Sequence, residues 1–197
     1  MPPGRALGRL WRLARRLWRR SRMRSSGTEV PNETALIVPL TAGPTVTAIR
    51  NWYNDAQADG IPAHITLLSP FLPLDEVDEA VERELTTILS RQPAFRFRLA
   101  RVRRFPSAVY LQPEPSDPFV RLTESIVDRW PHRPAYGGAF ADVVPHVTLT
   151  DGQEPPGLLD ALARHLPIEV MAAEAWLMAP DRTGSWSVRR RFPLPGR

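Results

Sequence analysis

The sequence predicts an α+β fold of two pseudo-symmetric lobes around a central cleft. Three observations lead there. Ala63-His64-Ile65-Thr66-Leu67 and Pro145-His146-Val147-Thr148-Leu149 are twin stretches in which apolar and polar residues alternate, the period-2 mark of a half-buried strand. Each twin stands at the same point of an order (strand, helix, twin strand, helix, strand) that the chain runs through twice. The residues outside the twins are hardly alike, so the repeat is one of pattern. At 197 residues the chain has room for one large domain or two small lobes sharing a core, and a pseudo-twofold would bring the twin strands together across a cleft.

Taken in order, residues 1–27 stand apart. They hold nine arginines and no acid, against a whole-chain net charge of +5, which leaves the remainder at −4. Basicity therefore belongs to a tail, and the high isoelectric point alone does not argue for nucleic-acid binding. Leu7, Leu10, Trp11, Ala14, Leu17 and Trp18 fall on one helical face, with Arg5, Arg9, Arg12, Arg16, Arg19 and Arg20 around the rest. The segment reads as an interfacial helix meeting an anionic membrane or RNA through residues 5–24, or as a solvated extension ahead of a start at Met23. Basic runs are usually solvated, which favours the second. No apolar run reaches the length of a signal-peptide core or a membrane span.

Residues 28–34 read as a linker, and a bilobed domain as 35–194. Ala35 to Leu40 is an apolar run suited to a buried strand. Thr45 to Ala56 is a helix with Val46, Ile49, Trp52 and Tyr53 at helical spacing. Asp59-Gly60-Ile61-Pro62 turns the chain into the first twin, and Ser69-Pro70-Phe71-Leu72-Pro73 ends it. Asp75 is placed to cap a helix running to about Arg91, its inner face Val77, Val81, Leu85, Ile88 and Leu89. Phe95, Phe97 and Leu99 alternate with Arg96, Arg98 and Ala100 in a half-exposed strand.

The order then begins again. A short strand covers Ala108 to Leu111. A helix spans Asp117 to Trp130, with Phe119, Leu122, Ile126 and Trp130 on one stripe. Pro131 to Val144 is loop-rich and precedes the second twin. A helix lies around Pro156 to His165, and one strand from Ile168 to about Met178. Asp181-Arg182-Thr183-Gly184 makes a hairpin turn before a last strand, Ser185 to Phe192.

Cysteine is absent, which excludes disulfides and thiolate metal sites and fits a reducing, cytoplasmic compartment. No Asp/Glu/His cluster stands at ligand spacing, so no metal and no cofactor are expected. All basic residues are arginine, which with 22 prolines points to G- and C-rich coding, not to function.

The twins carry the chemistry. His64 and Thr66 share one face of their strand, as His146 and Thr148 do of theirs, so each pair can touch a single ligand. Hydrolysis of a 2′,3′-cyclic phosphate, or the reverse closure, needs a base at the entering oxygen and an acid at the leaving one. One neutral and one protonated imidazole coexist near neutrality. Threonine hydroxyls can hold the non-bridging oxygens without adding charge. One His-x-Thr is no signal. Two of them at matching points of a repeat are hard to read as ordinary sheet-surface residues.

These residues resemble the two-histidine (2H) phosphoesterase superfamily, which includes 2′-5′ RNA ligase-like proteins and cyclic phosphodiesterases. Its pattern is a pair of apolar-His-x-Thr/Ser-apolar strands. Ala63 to Leu67 meets it, and Pro145 to Leu149 meets it with a proline at the first place. The resemblance covers about residues 33–194. It implies antiparallel sheets with flanking helices around the cleft, and metal-independent chemistry at 2′,3′-cyclic or 2′-5′ phosphates of RNA or nucleotides. It makes His64 and His146 the acid–base pair and Thr66 and Thr148 the phosphate-binding hydroxyls. In the ligase-like branch an aromatic often follows the first threonine; here Ser69 stands there, with Phe71 beyond. A non-catalytic RNA- or nucleotide-binding module on the same cleft is the alternative, and two titratable groups argue against it. A monomer is expected.

A nucleotide cleft usually offers an aromatic face to the base. Tyr136 and Phe71 are the candidates for substrate binding, with Trp186 a third, although each is also at home in a core. Tyr136 stands out because Gly137 and Gly138 follow it. Arg189 and Arg191, and Arg101, Arg103 and Arg104, read more readily as solvated sheet edges than as phosphate contacts. His132 and His165 match no pattern, and His165 suits a helix C-terminus.

Overall fold

Among the described residues, alternating and continuous apolar runs become eight strands in two antiparallel four-stranded sheets, with three α-helices against them. The computed structural model describes residues 32–40, 60–106, 108–138, 142–151 and 157–196. The basic tail, most of the linker and the Thr45–Ala56 helix of the sequence reading lie outside the described residues. The elements are β1 (Ala35–Pro39), β2 (His64–Leu68), α1 (Glu79–Leu89), β3 (Phe95–Phe105), β4 (Ala108–Glu114), α2 (Asp117–Arg129), β5 (Val147–Asp151), α3 (Leu158–Ala163), β6 (Ile168–Ala172), β7 (Glu174–Pro180) and β8 (Trp186–Pro193). The sheets run β2-β1-β7-β8 and β5-β4-β3-β6. This is the expected α+β fold with antiparallel sheets, and each twin strand occupies the edge of its own sheet.

The two halves of the chain are interleaved between these sheets. β3, from the first half, pairs with β4 of the second, while β7 and β8 return to pair with β1. The single strand expected from Ile168 to Met178 is two strands in two sheets. β6 pairs with β3, and β7 with β1 and β8. The crossing takes one residue, Ala173, whose carbonyl accepts from the Leu194 amide at 2.8 Å. The expected cap also moves. Leu74–Glu76 is a separate 3₁₀ turn, and Asp75 accepts a hydrogen bond from the Asn32 side chain at 2.6 Å. Asp78 caps α1 instead, accepting from the Val81 amide at 2.9 Å, so the helix starts one turn later.

One apolar core runs between the two sheets and the helices. It takes Leu36, Val38, Ile65 and Leu177 from one sheet, Phe97, Leu99, Leu111 and Val147 from the other, Leu85 and Leu89 from α1, and Phe119, Leu122 and Ile126 from α2. The helices are tied by an Arg129–Glu84 ion pair. The α2 helix reaches across to the first sheet, where Thr123 Oγ1 donates to the Leu67 carbonyl at 2.9 Å. That satisfies a carbonyl of edge strand β2 without another strand.

Gly60, just ahead of β2, has φ +82, and a Cβ there would stand 2.3 Å from the Trp186 carbonyl oxygen of β8. The turn delivering the chain into β2 thus needs glycine both for its left-handed backbone and for this approach. At the far end, Asp181 shapes the β7–β8 hairpin by accepting from the Thr183 amide at 2.7 Å and the Ser185 amide at 3.0 Å.

Candidate active site

Strands β2 and β5, on the facing edges of different sheets, come within 8 Å of each other between Cα atoms. On each, alternate residues enter the core: Ile65 and Leu67, Val147 and Leu149 are all at most 2% exposed. That alternation leaves His64 and Thr66, and His146 and Thr148, half-buried on the opposite side. The residues singled out from the sequence, 82 positions apart in the chain, thus stand on segments that approach one another.

Both imidazoles are held in the same way. His64 Nδ1 lies 2.7 Å from the Pro62 carbonyl, and His146 Nδ1 lies 2.7 Å from the Val144 carbonyl. A carbonyl only accepts, so Nδ1 carries the proton in each neutral ring and Nε2 is the basic nitrogen. The motif gave no sign of this backbone contact, which recurs two residues upstream in both halves.

The surroundings then differ. Burial holds the His64 pKa below the usual 6.5, opposed by the bond to Pro62, because an imidazolium loses hydration there. The neutral ring is therefore favoured by folding. In acid the unfolded chain takes the proton first, so this contribution to stability is full above about pH 6.5 and is lost as the pH falls through the lower folded value. Urea unfolding at pH 7.5 and pH 5 should show a larger loss of stability for the wild type than for His64→Asn. Parallel losses would refute the account.

His146 instead sits among aromatic rings. Phe105 and Tyr110 meet it edge-on at 5.1 and 5.3 Å, and Tyr136 lies nearly parallel to it at 6.5 Å. Phe105 stacks on Tyr110 at 4.2 Å. Tyr136 belongs to the turn Ala135–Gly138, which also approaches β2, so this residue stands by both twin strands. Its φ of 54° is a left-handed conformation rare for a side chain of this size. Burial raises its phenol pKa to about 12, which keeps it a neutral hydrogen-bond donor.

The expectation for Phe71 fails. Its side chain is wholly buried and packs edge-on against Trp130 at 5.1 Å, leaving no ring face for a base. Trp186 is half-buried against a small second cluster of Ile37, Ile61, Trp176 and Met178. Arg189 and Arg190 face Glu82 at 3.5 and 3.8 Å, and Arg191 lies over the Trp176 ring at 4.6 Å. His132 and His165 are exposed. Phe105 and Tyr110 went unnoticed in the sequence. Only the pairing of Tyr110 with Thr148 places them beside the motif, and pairing between distant strands has no local mark. Among the described residues no group of three His, Asp or Glu is gathered to hold a metal ion, and no helix is long and apolar enough to cross a membrane.

Two antiparallel sheets whose adjoining edge strands carry a His-x-Thr pattern at or just before their start define the two-histidine phosphoesterase class. The chain belongs to the 2′-5′ RNA ligase superfamily, whose family model matches residues 38–184. A Geobacillus kaustophilus (strain HTA426) protein described as a candidate phosphoesterase is 28% identical over 147 residues, 70% of this chain and 81% of its own length. Among solved structures, TT0787 of Thermus thermophilus matches with a TM-score of 0.53 and 20% identity over 84% of this chain and 99% of its own. LigT of E. coli in its apo form matches at 0.51 and 21% over 83% and 98%. At these identities the structural matches speak for the fold.

Proposed function

We propose that the protein is a metal-independent phosphoesterase acting on 2′,3′-cyclic phosphate or 2′-5′ phosphodiester bonds of RNA or nucleotides. The observation that carries this reading is the doubled imidazole, one on β2 and one on the residue leading into β5, each held by the same backbone bond and so presenting Nε2 as the basic nitrogen. One neutral imidazole takes a proton from the attacking water as its oxygen bonds to phosphorus. The other, protonated, gives its proton to the 2′ or 3′ oxygen as that P–O bond breaks. Proton exchange with solvent restores both rings. Thr66 and Thr148 hold the non-bridging oxygens, which gather charge in the pentacoordinate transition state. Tyr136, against His146, offers its ring to the base. No step calls for a Lewis acid, because acid and base are both supplied by side chains.

The test is a panel of the four 2′,3′-cyclic mononucleotides, ADP-ribose cyclic phosphate and a 2′-5′ dinucleotide, each incubated with excess EDTA. Conversion of at least one is expected, at the rate seen without chelator. Tight binding with no conversion of any would favour a non-catalytic nucleotide-binding module, and activity abolished by EDTA would overturn the metal-free step.

A further inference from the structure

The register of the second sheet joins three side chains that stand far apart in the chain. Thr148 on β5 is opposite Tyr110 on β4, and Tyr110 is opposite Arg103 on β3. Opposed residues of antiparallel strands share a face, and the contact between Tyr110 and the His146 ring fixes which face it is. Strands lie about 4.8 Å apart, so Arg103 is rooted two spacings from Thr148, with only the Tyr110 strand between. Its charge acts on the Tyr110 phenol, opposing the upward pull of burial.

The charges of this face set Arg103 apart from its neighbours. Arg98 and Arg101 share the Glu114 carboxylate, at 3.1 and 2.9 Å. Arg103 donates instead to the Gln112 amide oxygen at 3.3 Å, a neutral acceptor, and among the described residues no carboxylate is in an ion pair with it. The first sheet provides a comparison. There the row through Thr66 runs Ile37, Trp176, Arg191, so its arginine is a strand further out and is engaged with the Trp176 ring.

We propose that Arg103, across Tyr110 from Thr148, is the cation that binds the phosphoryl oxygens of the substrate. The inference rests on the phosphoesterase reading above and adds what that reading lacks, a fixed positive charge for the phosphate. The substrate diester is a monoanion, and attack at phosphorus adds a second negative charge. The guanidinium donates to the non-bridging oxygens alongside the threonine hydroxyls, with a fork that suits phosphate geometry. The asymmetry between the rows places this grip on the His146 side.

Arg103→Gln, Arg103→Lys and Arg98→Gln test it, each assayed for kcat and KM on the best cyclic substrate, for inhibition by inorganic phosphate, and for thermal midpoint. Arg103→Gln should lower kcat/KM by about 100-fold, the usual scale for one donor to a developing oxyanion, and weaken phosphate inhibition at least about tenfold, with the midpoint little changed. Arg103→Lys should recover part of both, since it keeps the charge and loses the fork. Arg98→Gln should stay near wild type. Unchanged phosphate inhibition in Arg103→Gln, or equal losses in Arg98→Gln from a general surface potential, would overturn the inference. If the wild type converts no substrate, the phosphoesterase reading falls alone. Calorimetry with inorganic phosphate on the wild type and Arg103→Gln then still decides whether Arg103 holds the anion.

Discussion

His64→Asn and His146→Asn should each lower kcat/KM on a cyclic phosphate by roughly 10²–10⁴, the range that positioned acid–base groups contribute. The double variant should fall little below the worse single one, because residues that act in one step are not additive. Asparagine is the informative replacement. Its side-chain amide can still donate to the Pro62 or Val144 carbonyl, the contact both rings make at 2.7 Å, while Nε2 disappears. A structural role for the rings would thus be largely preserved, and an acid–base role would not. Steady-state assays beside a thermal melt separate the two. Either variant retaining wild-type turnover would end the acid–base proposal, whereas losses matched by unfolding would leave a structural role. His64 is disfavoured as a cation by burial, so the acid limb of the wild-type profile should have a midpoint below 6.5, and His64→Asn should remove that midpoint from whatever residual activity it keeps.

Much of this site was legible in the sequence because its signal is local. Within five residues, His64 and Thr66 alternate with Ile65 and Leu67, and strand geometry alone sends the two sets to opposite faces. The same holds for the half-exposed β3 and for the apolar stripe of α2. What escaped was set by contacts between distant residues. No proline or glycine marks the passage from β6 to β7. Yet the burial pattern changes there, from the alternation of Ile168–Ala172 to the nearly continuous burial of Glu174–Pro180. The cause is the sheet order: β6 is an edge strand, and β7 lies between β1 and β8. Asp75 and Asp78 were equally good caps by residue type, and the 3₁₀ turn Leu74–Glu76 decided between them. Phe71 and Tyr136 were alike as aromatic loop residues. Packing against Trp130 took one into the core, and a left-handed turn set the other beside His146. Arg103 read as one of a run of solvated arginines until the register aligned it with Thr148.

Phe119→Ala should be among the most destabilising single changes in the chain, at about 3–5 kcal/mol, the range for truncating a buried phenylalanine. The ring is 1% exposed and packs edge-on against Phe95 and Phe97, each at 5.0 Å, so the void left is walled by other side chains that cannot all close in. Set against a stability of roughly 5–15 kcal/mol for a domain, a large fraction would go. How the loss is distributed tests the architecture. Phe119 fastens α2 to β3 in the second sheet, while Thr123, four residues on, holds the β2 backbone of the first. The shared core means that neither sheet keeps its packing once α2 loosens. Urea unfolding of Phe119→Ala should therefore remain one transition with an earlier midpoint and an unchanged slope, and tryptophan fluorescence should follow circular dichroism. Trp176 on β7 and Trp130 at the end of α2 report from the first sheet and from the helix layer. Two separated transitions would mean that the sheets unfold independently, and that the spacing of His64 and His146 depends on the local contacts of β2 and β5 rather than on the core beneath them.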